Sequence, residues 1–205
     1  MHIYAFGSLC RGEVSKDSDI DLLAIVNDKD ERFNIDEYSI YSYVRIRELW
    51  SEGNPFAWHL YLESRLIFSD DNVDFLRAMG CPSVYKKYND DFFKFSSLLN
   101  TSLDELLNET DSYVFEMSNI FLSIRNIAIC FSLAFMDKPV FSRDAALMIG
   151  DKSILLPLDV YSTLNRARIM STRGIGEYIS RSEVLKIKKH ATAIKKWVEF
   201  MREGK

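Results

Sequence analysis

The sequence is poor in cysteine and lacks an uninterrupted apolar run long enough to cross a membrane. Its three cysteines, Cys10, Cys81 and Cys130, are odd in number and have the spacing of neither a disulfide framework nor a zinc site. Unpaired thiols are typical of a reducing compartment, so we expect a cytoplasmic protein. The longest apolar stretch, residues 120–135, is interrupted by an Arg-Asn pair, which predicts a core helix and no membrane partner.

Positive charge is scarce over most of the chain, and neither a basic nor an apolar leader precedes the first predicted strand, so no signal peptide is expected. The formal net charge is −4. Residues 163–205 nevertheless hold eleven Lys and Arg against four Asp and Glu, a net charge of +7, which leaves −11 for residues 1–162. The overall negative charge argues against extensive binding of duplex nucleic acid, whereas the basic tail is compatible with phosphate or a single RNA strand.

A pair of carboxylates follows a Gly-Ser turn near the start of the chain. Residues 3–6 predict a short strand, Gly7 can adopt the turn that ends it, and residues 20–26 predict a second strand. Because side chains alternate along a strand, Asp19 and Asp21 share one face. Two neighbouring negative charges repel unless a cation lies between them, and Mg²⁺ binds through one or two carboxylates together with water and phosphates. The pattern therefore predicts a magnesium site at Asp19 and Asp21.

The Gly-Ser turn predicts the other half of a site. At a corner between a strand and a helix, Gly7 and Ser8 offer backbone amides and a small hydroxyl to phosphate oxygens. Arg11 adds a positive charge close by in the sequence. We therefore expect Gly7, Ser8 and Arg11 to bind phosphate groups of a ligand.

A Gly-Ser pair, ten further residues and an Asp-x-Asp sequence resemble the signature of the DNA polymerase beta-like nucleotidyltransferase superfamily, with its minimal nucleotidyltransferases and antibiotic-modifying enzymes such as kanamycin nucleotidyltransferase. Gly12 and Ser18 also fit the signature, and Ser18 joins the expected nucleotide-binding residues. The resemblance implies a magnesium-dependent enzyme that transfers a nucleoside monophosphate from ATP or another NTP to a hydroxyl acceptor and releases pyrophosphate. The acceptor stays open between a small molecule of the aminoglycoside kind, a protein side chain and an RNA end.

The superfamily usually has a third carboxylate on the following strand, since two metal ions must be held. The candidates are Asp36 and Glu37, at the start of a strand predicted over residues 37–44. Because Tyr38 and Ile40 are expected to face the core, alternation favours Glu37 as the third ligand. Glu37 stands where an Asp would be usual in the family. The alternative is that both acids only end the preceding loop.

The pattern of elements changes near Gly80. Strands and helical segments alternate before it, whereas every periodic segment after it is helical. We therefore predict an α+β fold, in which a small nucleotidyltransferase domain with a mixed sheet and helices (residues 1–84) precedes an all-α helical bundle (residues 85–205). The sequences Ser102 to Glu105 and Ser180 to Glu183 match capping boxes that would begin two of the helices. The predicted strands are 2–6, 20–26, 37–44 and 65–68, and the predicted helices are 45–52, 55–63, 72–79, 85–98, 103–107, 112–135, 143–149, 156–170 and 182–201.

The predicted helix over 112–135 is apolar nearly all round but carries one polar stripe. Buried polar groups need partners, so the stripe must face other polar groups, water or a ligand. Glu116 is a candidate general base, the role that a helical-domain Glu has in enzymes resembling kanamycin nucleotidyltransferase, and interhelical hydrogen bonding is the alternative. The stripe consists of Ser112, Glu116, Asn119, Ser123, Asn126 and Cys130.

Two arginines of the basic tail, Arg166 and Arg173, are candidates for contact with the triphosphate, although charged helix faces are often only solvated surface. Arg125 resembles the active-site Arg of HEPN domains, but Cys130 stands near the position of their His, so RNA cleavage is not expected. A second hypothesis is a non-catalytic antitoxin or regulatory protein of the same fold that binds a protein partner. A homodimer is a further alternative, because a second subunit or the bundle must cover the sheet face that an extra N-terminal helix covers in family members.

Overall fold

The structure is a computed structural model that describes residues 1–13, 20–27, 30–108 and 110–203. The chain forms two compact units, Met1–Lys86 and Lys87–Lys205. Within the described residues, all strands belong to the first unit and the second unit contains only helices, so the predicted α+β class is confirmed. The division between the units follows Lys86, and the predicted domain boundary follows residue 84.

The first unit is built on a four-stranded mixed sheet with the order β3-β2-β1-β4. β1 pairs antiparallel with both β2 and β4, whereas β2 and β3 run parallel. Phe6, the last residue of β1, pairs with Asp21 on one side and with Ser64 on the other, so three strands meet at this end of the sheet. The strands are β1 (His2–Phe6), β2 (Asp21–Val26), β3 (Tyr38–Ser42) and β4 (Ser64–Ser69).

Four helices complete the first unit, and local capping signals explain where the longer two begin. The second helix is capped by Ser42, whose side chain accepts from the N–H of Arg45, and the third by Asn54, which precedes Pro55. Tyr4 of the sheet packs with residues of both helices in the core. The helices are α1 (Ser8–Arg11), α2 (Tyr43–Ser51), α3 (Pro55–Glu63) and α4 (Phe75–Ala78).

The face of β3 that meets the core differs from the prediction. Ile25 pairs with Tyr41, and paired residues of neighbouring strands point to the same side of the sheet, so Tyr41 shares the side of the buried Ile25. Its ring packs against the core with Phe56, at 5.5 Å between centroids. The expectation that Tyr38 and Ile40 face the core, with Tyr41 opposite, is therefore wrong.

Among its described residues, the second unit has four long helices and two short 3-10 segments. α6 is the most apolar helix and buries twelve of its residues, including Ile120, Ile124 and Ile127. Among the described helices, α6 alone is long and apolar enough to cross a membrane, and 61% of its apolar window is buried inside the protein, as in a core helix. The helices are α5 (Tyr88–Leu107), α6 (Tyr113–Phe135), α7 (Leu158–Arg173) and α8 (Arg181–Glu203).

Two capping boxes were predicted in the second unit, and one is real. Ser180 and Glu183 exchange hydrogen bonds, since the N–H of Ser180 donates to the Glu183 carboxylate at 2.8 Å and the Glu183 N–H donates to the Ser180 hydroxyl at 3.4 Å. Ser102 does not begin a helix, because it lies 1% exposed in the middle of the continuous helix α5. The helix predicted over 143–149 is reduced to a 3-10 turn at Ala145–Leu147.

Candidate active site

The candidate site is built around Gly7, at the corner between β1 and α1. Gly7 has φ of 76° and ψ of −139°, a conformation that is open essentially only to glycine. A Cβ at this position would lie 2.6 Å from Oδ2 of Asp21, so a side chain has no room there. Glycine at residue 7 therefore allows both the turn and the close approach of the Asp21 carboxylate.

The backbone amides of the corner differ in whether they have an acceptor within their own structural element or elsewhere in the protein. The N–H of Gly7 donates to the carbonyl of Glu63 at 3.0 Å, so it is already used. Ser8 and Leu9 open α1, and the first amides of a helix have no acceptor within the helix. Of the predicted phosphate-binding residues, Gly7 therefore has its amide occupied, whereas the Ser8 amide has no acceptor within α1.

Asp21 stands at the mouth of the corner as the exposed first residue of β2. It points to the side of the sheet taken by Leu23 and Ile25, because strand side chains alternate. Its predicted partner Asp19 and the predicted nucleotide-binding residue Ser18 lie outside the described residues. Of the predicted carboxylate pair, the structure thus describes Asp21 alone.

The two candidates for a third carboxylate lie directly before β3. Leu22 and Tyr38 form the first pair of the parallel ladder, so Glu37 lies one residue before the ladder and Asp21 precedes it on the other strand. Asp36 and Glu37 belong to a turn and are both exposed. The backbone N–H of Asp36 donates to the side chain of Asn34 at 3.0 Å, which fixes this turn.

Arg11 is held by two carboxylates. Its Nη1 donates to Glu63 and its Nε donates to Glu13 at 2.8 Å. Burial lowers the pKa of Arg11, but the hydrogen bonds and charges of Glu13 and Glu63 outweigh that effect and leave the pKa raised. Arg11 was predicted to bind phosphate, and in the structure its guanidinium is engaged with protein carboxylates.

Glu63 was not predicted as a site residue, yet it joins three parts of the corner. Besides Arg11 and the N–H of Gly7, it contacts His59, whose Nε2 lies 3.0 Å from the Glu63 carboxylate. The only hint in the sequence is the position of Glu63 at the end of the predicted helix 55–63, two residues before the predicted strand 65–68. Its partners Gly7 and Arg11 are far away along the chain, so no spacing rule reveals them.

A cavity of about 470 Å³ adjoins the corner at the outer strand β4. Its lining includes Glu63, Arg65, Arg77 and Cys10. Burial raises the pKa of the Cys10 thiol, which donates to the carbonyl of Ala5 at 3.4 Å. The thiol therefore fills space and is poorly suited to redox chemistry.

A cluster of potential metal ligands that was not predicted lies at the opposite end of β1. Ligand atoms of His2, Asp70 and Asp71 come within 4.8 Å of one another, so the group could hold a cation. Nδ1 of the buried His2 lies 2.6 Å from the hydroxyl of Tyr43, and Nε2 lies 3.0 Å from the carbonyl of Val73. Both ring nitrogens thus have protein partners already.

The predicted residues of the helical unit are dispersed over its helices. Glu116 lies half-buried in the first turn of α6, and Arg173 in the last turn of α7. Arg166 forms an ion pair with Glu183 at 2.5 Å. Arg125 donates to the carbonyls of Phe141 and Ser142, at 3.0 and 3.3 Å, which ties α6 to the following loop.

Comparison with known proteins identifies the first unit. Residues 2–80 match the family model of the nucleotidyltransferase domain. Residues 2–80 form a nucleotidyltransferase domain. The match confirms the predicted superfamily and the enzyme class, a nucleotidyltransferase, and the Gly7 corner and Asp21 both lie within it.

Two further comparisons concern the whole chain. Among solved structures, this chain is similar to spectinomycin adenyltransferase AAD(9) from Enterococcus faecialis, determined with ATP and spectinomycin. The two share 14% sequence identity with a TM-score of 0.46, over 95% of this chain and 91% of that chain. The comparison with curated proteins found no match.

Proposed function

We propose that the protein transfers a nucleoside monophosphate from ATP or another NTP to a hydroxyl acceptor, with Mg²⁺ as cofactor and pyrophosphate as the second product. The observation that carries the proposal is the position of the Asp21 carboxylate against the Gly7 corner, in a domain of the nucleotidyltransferase family. A phosphate-binding turn and an acidic metal ligand side by side are what phosphoryl transfer needs, because its catalysis is mostly positioning and charge neutralisation.

The donor set fits magnesium. Asp21 supplies a carboxylate, and Asp19 and Glu37 are proposed as the other two ligands, so all protein donors would be hard oxygens. Glu37 is proposed as a ligand because it directly precedes β3, whose first residue, Tyr38, pairs with Leu22 next to Asp21. The bound ion would supply charge neutralisation at the triphosphate.

The phosphate side of the site is assigned to the corner and the segment after it. Gly7 allows the turn and the close approach of Asp21, Ser8 offers an amide and a hydroxyl, and Ser18 is proposed as a further donor. Arg11 would support them indirectly, by holding the corner in place from its position between Glu13 and Glu63. In the helical unit, Arg173 and Arg166 are proposed to contribute positive charge for the triphosphate. The ion pair with Glu183 would reduce the contribution of Arg166.

The acceptor side rests on Glu116, proposed as the general base that takes the proton from the acceptor hydroxyl. Its half-buried place in the first turn of α6 leaves the carboxylate accessible. Replacement by Gln keeps the size and removes the base, so Glu116→Gln should lower kcat by about 10²-fold or more with little change in the KM for NTP. An unchanged kcat would favour the alternative, in which Glu116 forms hydrogen bonds between helices and is not the base.

The decisive experiment follows labelled ATP with Mg²⁺ and a panel of acceptors: aminoglycosides and spectinomycin, small proteins with exposed hydroxyls, and RNA 3′ ends. We expect pyrophosphate release and a labelled acceptor from one class. Asp21→Asn should abolish both, whereas Asp104→Asn, which removes an exposed acid of α5 that pairs with Lys195, should not. Absence of turnover with every acceptor would favour a non-catalytic protein that binds a partner.

A further inference from the structure

The segment that supports the phosphate corner comes from a different part of the chain. Glu63 ends α3 and directly precedes Ser64, which pairs with Phe6 of β1. Gly7 follows Phe6, so the two segments cross side by side, and the Gly7 N–H donates to the Glu63 carbonyl at 3.0 Å. The hydrogen bond between Gly7 and Glu63 thus extends the pairing of β1 with β4 by one residue pair, into the turn that follows β1.

The side chain of the same residue holds the other end of the corner. Its carboxylate accepts from Nη1 of Arg11, the last residue of α1, and lies 3.0 Å from Nε2 of His59, one turn earlier on α3. The side chains of Arg11, Glu63 and His59 are 17%, 13% and 16% exposed, so the three-residue contact is largely shielded from water. Glu13, the other partner of Arg11, is 45% exposed.

The difference in exposure decides which carboxylate matters. An ion pair at the surface contributes little, whereas removing one partner of a shielded pair leaves an uncompensated charge and is strongly unfavourable. The loss of Glu63 would leave the Arg11 guanidinium without its shielded partner, and α1 would have to move to bring it to water. The contact between Glu13 and Arg11, by contrast, is already partly solvated.

We propose that Glu63 is a positioning residue for nucleotide binding, which fixes the corner from Gly7 to Arg11 in the conformation that receives the triphosphate. It acts through both ends of the corner, with its carbonyl on Gly7 and its carboxylate on Arg11. The guanidinium of Arg11 therefore links α1 to α3, and it contributes to NTP binding only indirectly. This inference rests on the proposed function for its kinetic consequence, but its structural part can be measured without turnover.

The test compares the wild type with Glu63→Gln, which keeps the size and the backbone carbonyl, and with the matched control Glu13→Gln. A double variant, Arg11→Gln with Glu63→Gln, replaces the ion pair by two neutral amides. For each protein, amide hydrogen exchange of residues 7–13 is measured without ligand, and kcat and KM for Mg-ATP are measured with the working acceptor. Asp21→Asn serves as the inactive reference.

In Glu63→Gln we expect faster exchange over residues 7–13 and a KM for Mg-ATP raised about tenfold, with kcat within about twofold of wild type. Glu13→Gln should match the wild type in both measurements. The double variant should recover part of the lost affinity, because the guanidinium that loses its shielded partner in Glu63→Gln is absent.

Three results would overturn the inference: equal KM values for Glu63→Gln and Glu13→Gln, faster exchange without any change in KM, or a loss confined to kcat. Failure of the proposed function looks different, because then wild type and Asp21→Asn would have the same turnover or none. In that case the exchange of residues 7–13 and the calorimetric affinity for Mg-ATP decide, and no difference between Glu63→Gln and Glu13→Gln would dismiss the role of Glu63.

Discussion

Oδ2 of Asp21 lies 2.6 Å from the place that a Cβ on Gly7 would occupy. The two residues are brought together because Phe6, just before Gly7, pairs with Asp21 on the neighbouring strand. Glycine is therefore required at residue 7 for two reasons, the positive φ of the turn and the close approach of the Asp21 carboxylate. The contact also joins the phosphate-binding and metal-binding halves of the proposed site into one structural unit.

Substitution of Gly7 therefore tests two effects that a second glycine can separate. Gly7→Ala should lower the free energy of unfolding by about 1–3 kcal/mol and reduce turnover at least about tenfold, since the backbone is strained and Asp21 is displaced. Gly80 also has positive φ, 69°, but a Cβ there meets nothing within 4 Å. Gly80→Ala should cost about 1 kcal/mol of stability and leave turnover unchanged. Equal turnover of the two variants would contradict the link between Gly7 and Asp21.

The third carboxylate can be assigned by comparing two neighbouring acids. Glu37→Gln should reduce turnover about 10²-fold or more and raise the Mg²⁺ concentration needed for half-maximal rate, because a metal ligand is lost. Asp36→Asn removes an equally exposed negative charge one residue away and should have little effect. If Asp36→Asn is the damaging variant, the ligand is Asp36, and if neither is, β3 supplies no ligand.

The acid stability of the helical unit should depend on Glu183. The hydrogen bond from Arg166, followed by those from Ser180, lowers the pKa of Glu183 from 4.5 to about 2. The ionised form is favoured in the folded state, so this stabilisation is fully present above pH 4.5 and is lost as the pH falls towards 2. The difference in unfolding free energy between wild type and Glu183→Gln should shrink over that range.

Chemical denaturation at several pH values measures this difference. The exposed acid Glu177 provides the control, since Glu177→Gln should change stability little at any pH. A wild-type advantage over Glu183→Gln that stays constant down to pH 2 would contradict the assignment of the ion pair as the source.

Two buried serines of α6 should respond oppositely to truncation. Ser132 donates to the carbonyl of Ile129 at 2.9 Å and accepts from the N–H of Val140 at 3.0 Å, so Ser132→Ala should cost about 1–3 kcal/mol of stability. Ser123 is fully buried and its hydroxyl has no partner among the described residues. Ser123→Ala should be neutral or stabilising by up to about 1 kcal/mol, as measured by thermal unfolding. A large loss in Ser123→Ala would mean that its hydroxyl has a partner such as water.

The order of strands and helices in the first unit was readable from the sequence, because the apolar runs are short and the turns carry Gly, Ser and Asn. The face of β3 was not readable, since Tyr38, Ile40 and Tyr41 are all apolar enough for the core and only the pairing with Ile25 decides. In the second unit, Ser102 matched a cap by local chemistry, but burial on α5 outweighed it.

The candidate site likewise combines residues that the sequence predicts with one that it does not. Gly7, Ser8 and Asp21 were predicted as site residues because their residue types, at this spacing, are typical of a phosphate-binding turn beside a metal ligand, and the structure brings Gly7 and Asp21 together. Glu63 could not, since its contacts with Gly7 and Arg11 arise from the pairing of β1 with β4, a long-range feature that local patterns do not contain. The residues proposed to contact the substrate were thus readable from the sequence, and the one that holds them in place was not.

Binding of a metal ion by Asp21 beside the triphosphate is the step on which the proposed reaction depends, and isothermal calorimetry of Mg-ATP binding measures it without turnover. We expect that the wild type binds Mg-ATP, that chelation of Mg²⁺ by EDTA weakens the binding, and that Asp21→Asn binds Mg-ATP at least about tenfold more weakly than Asp104→Asn. Equal Mg-ATP affinity in the two variants, or no Mg-ATP binding by the wild type, would contradict the metal-binding role of Asp21.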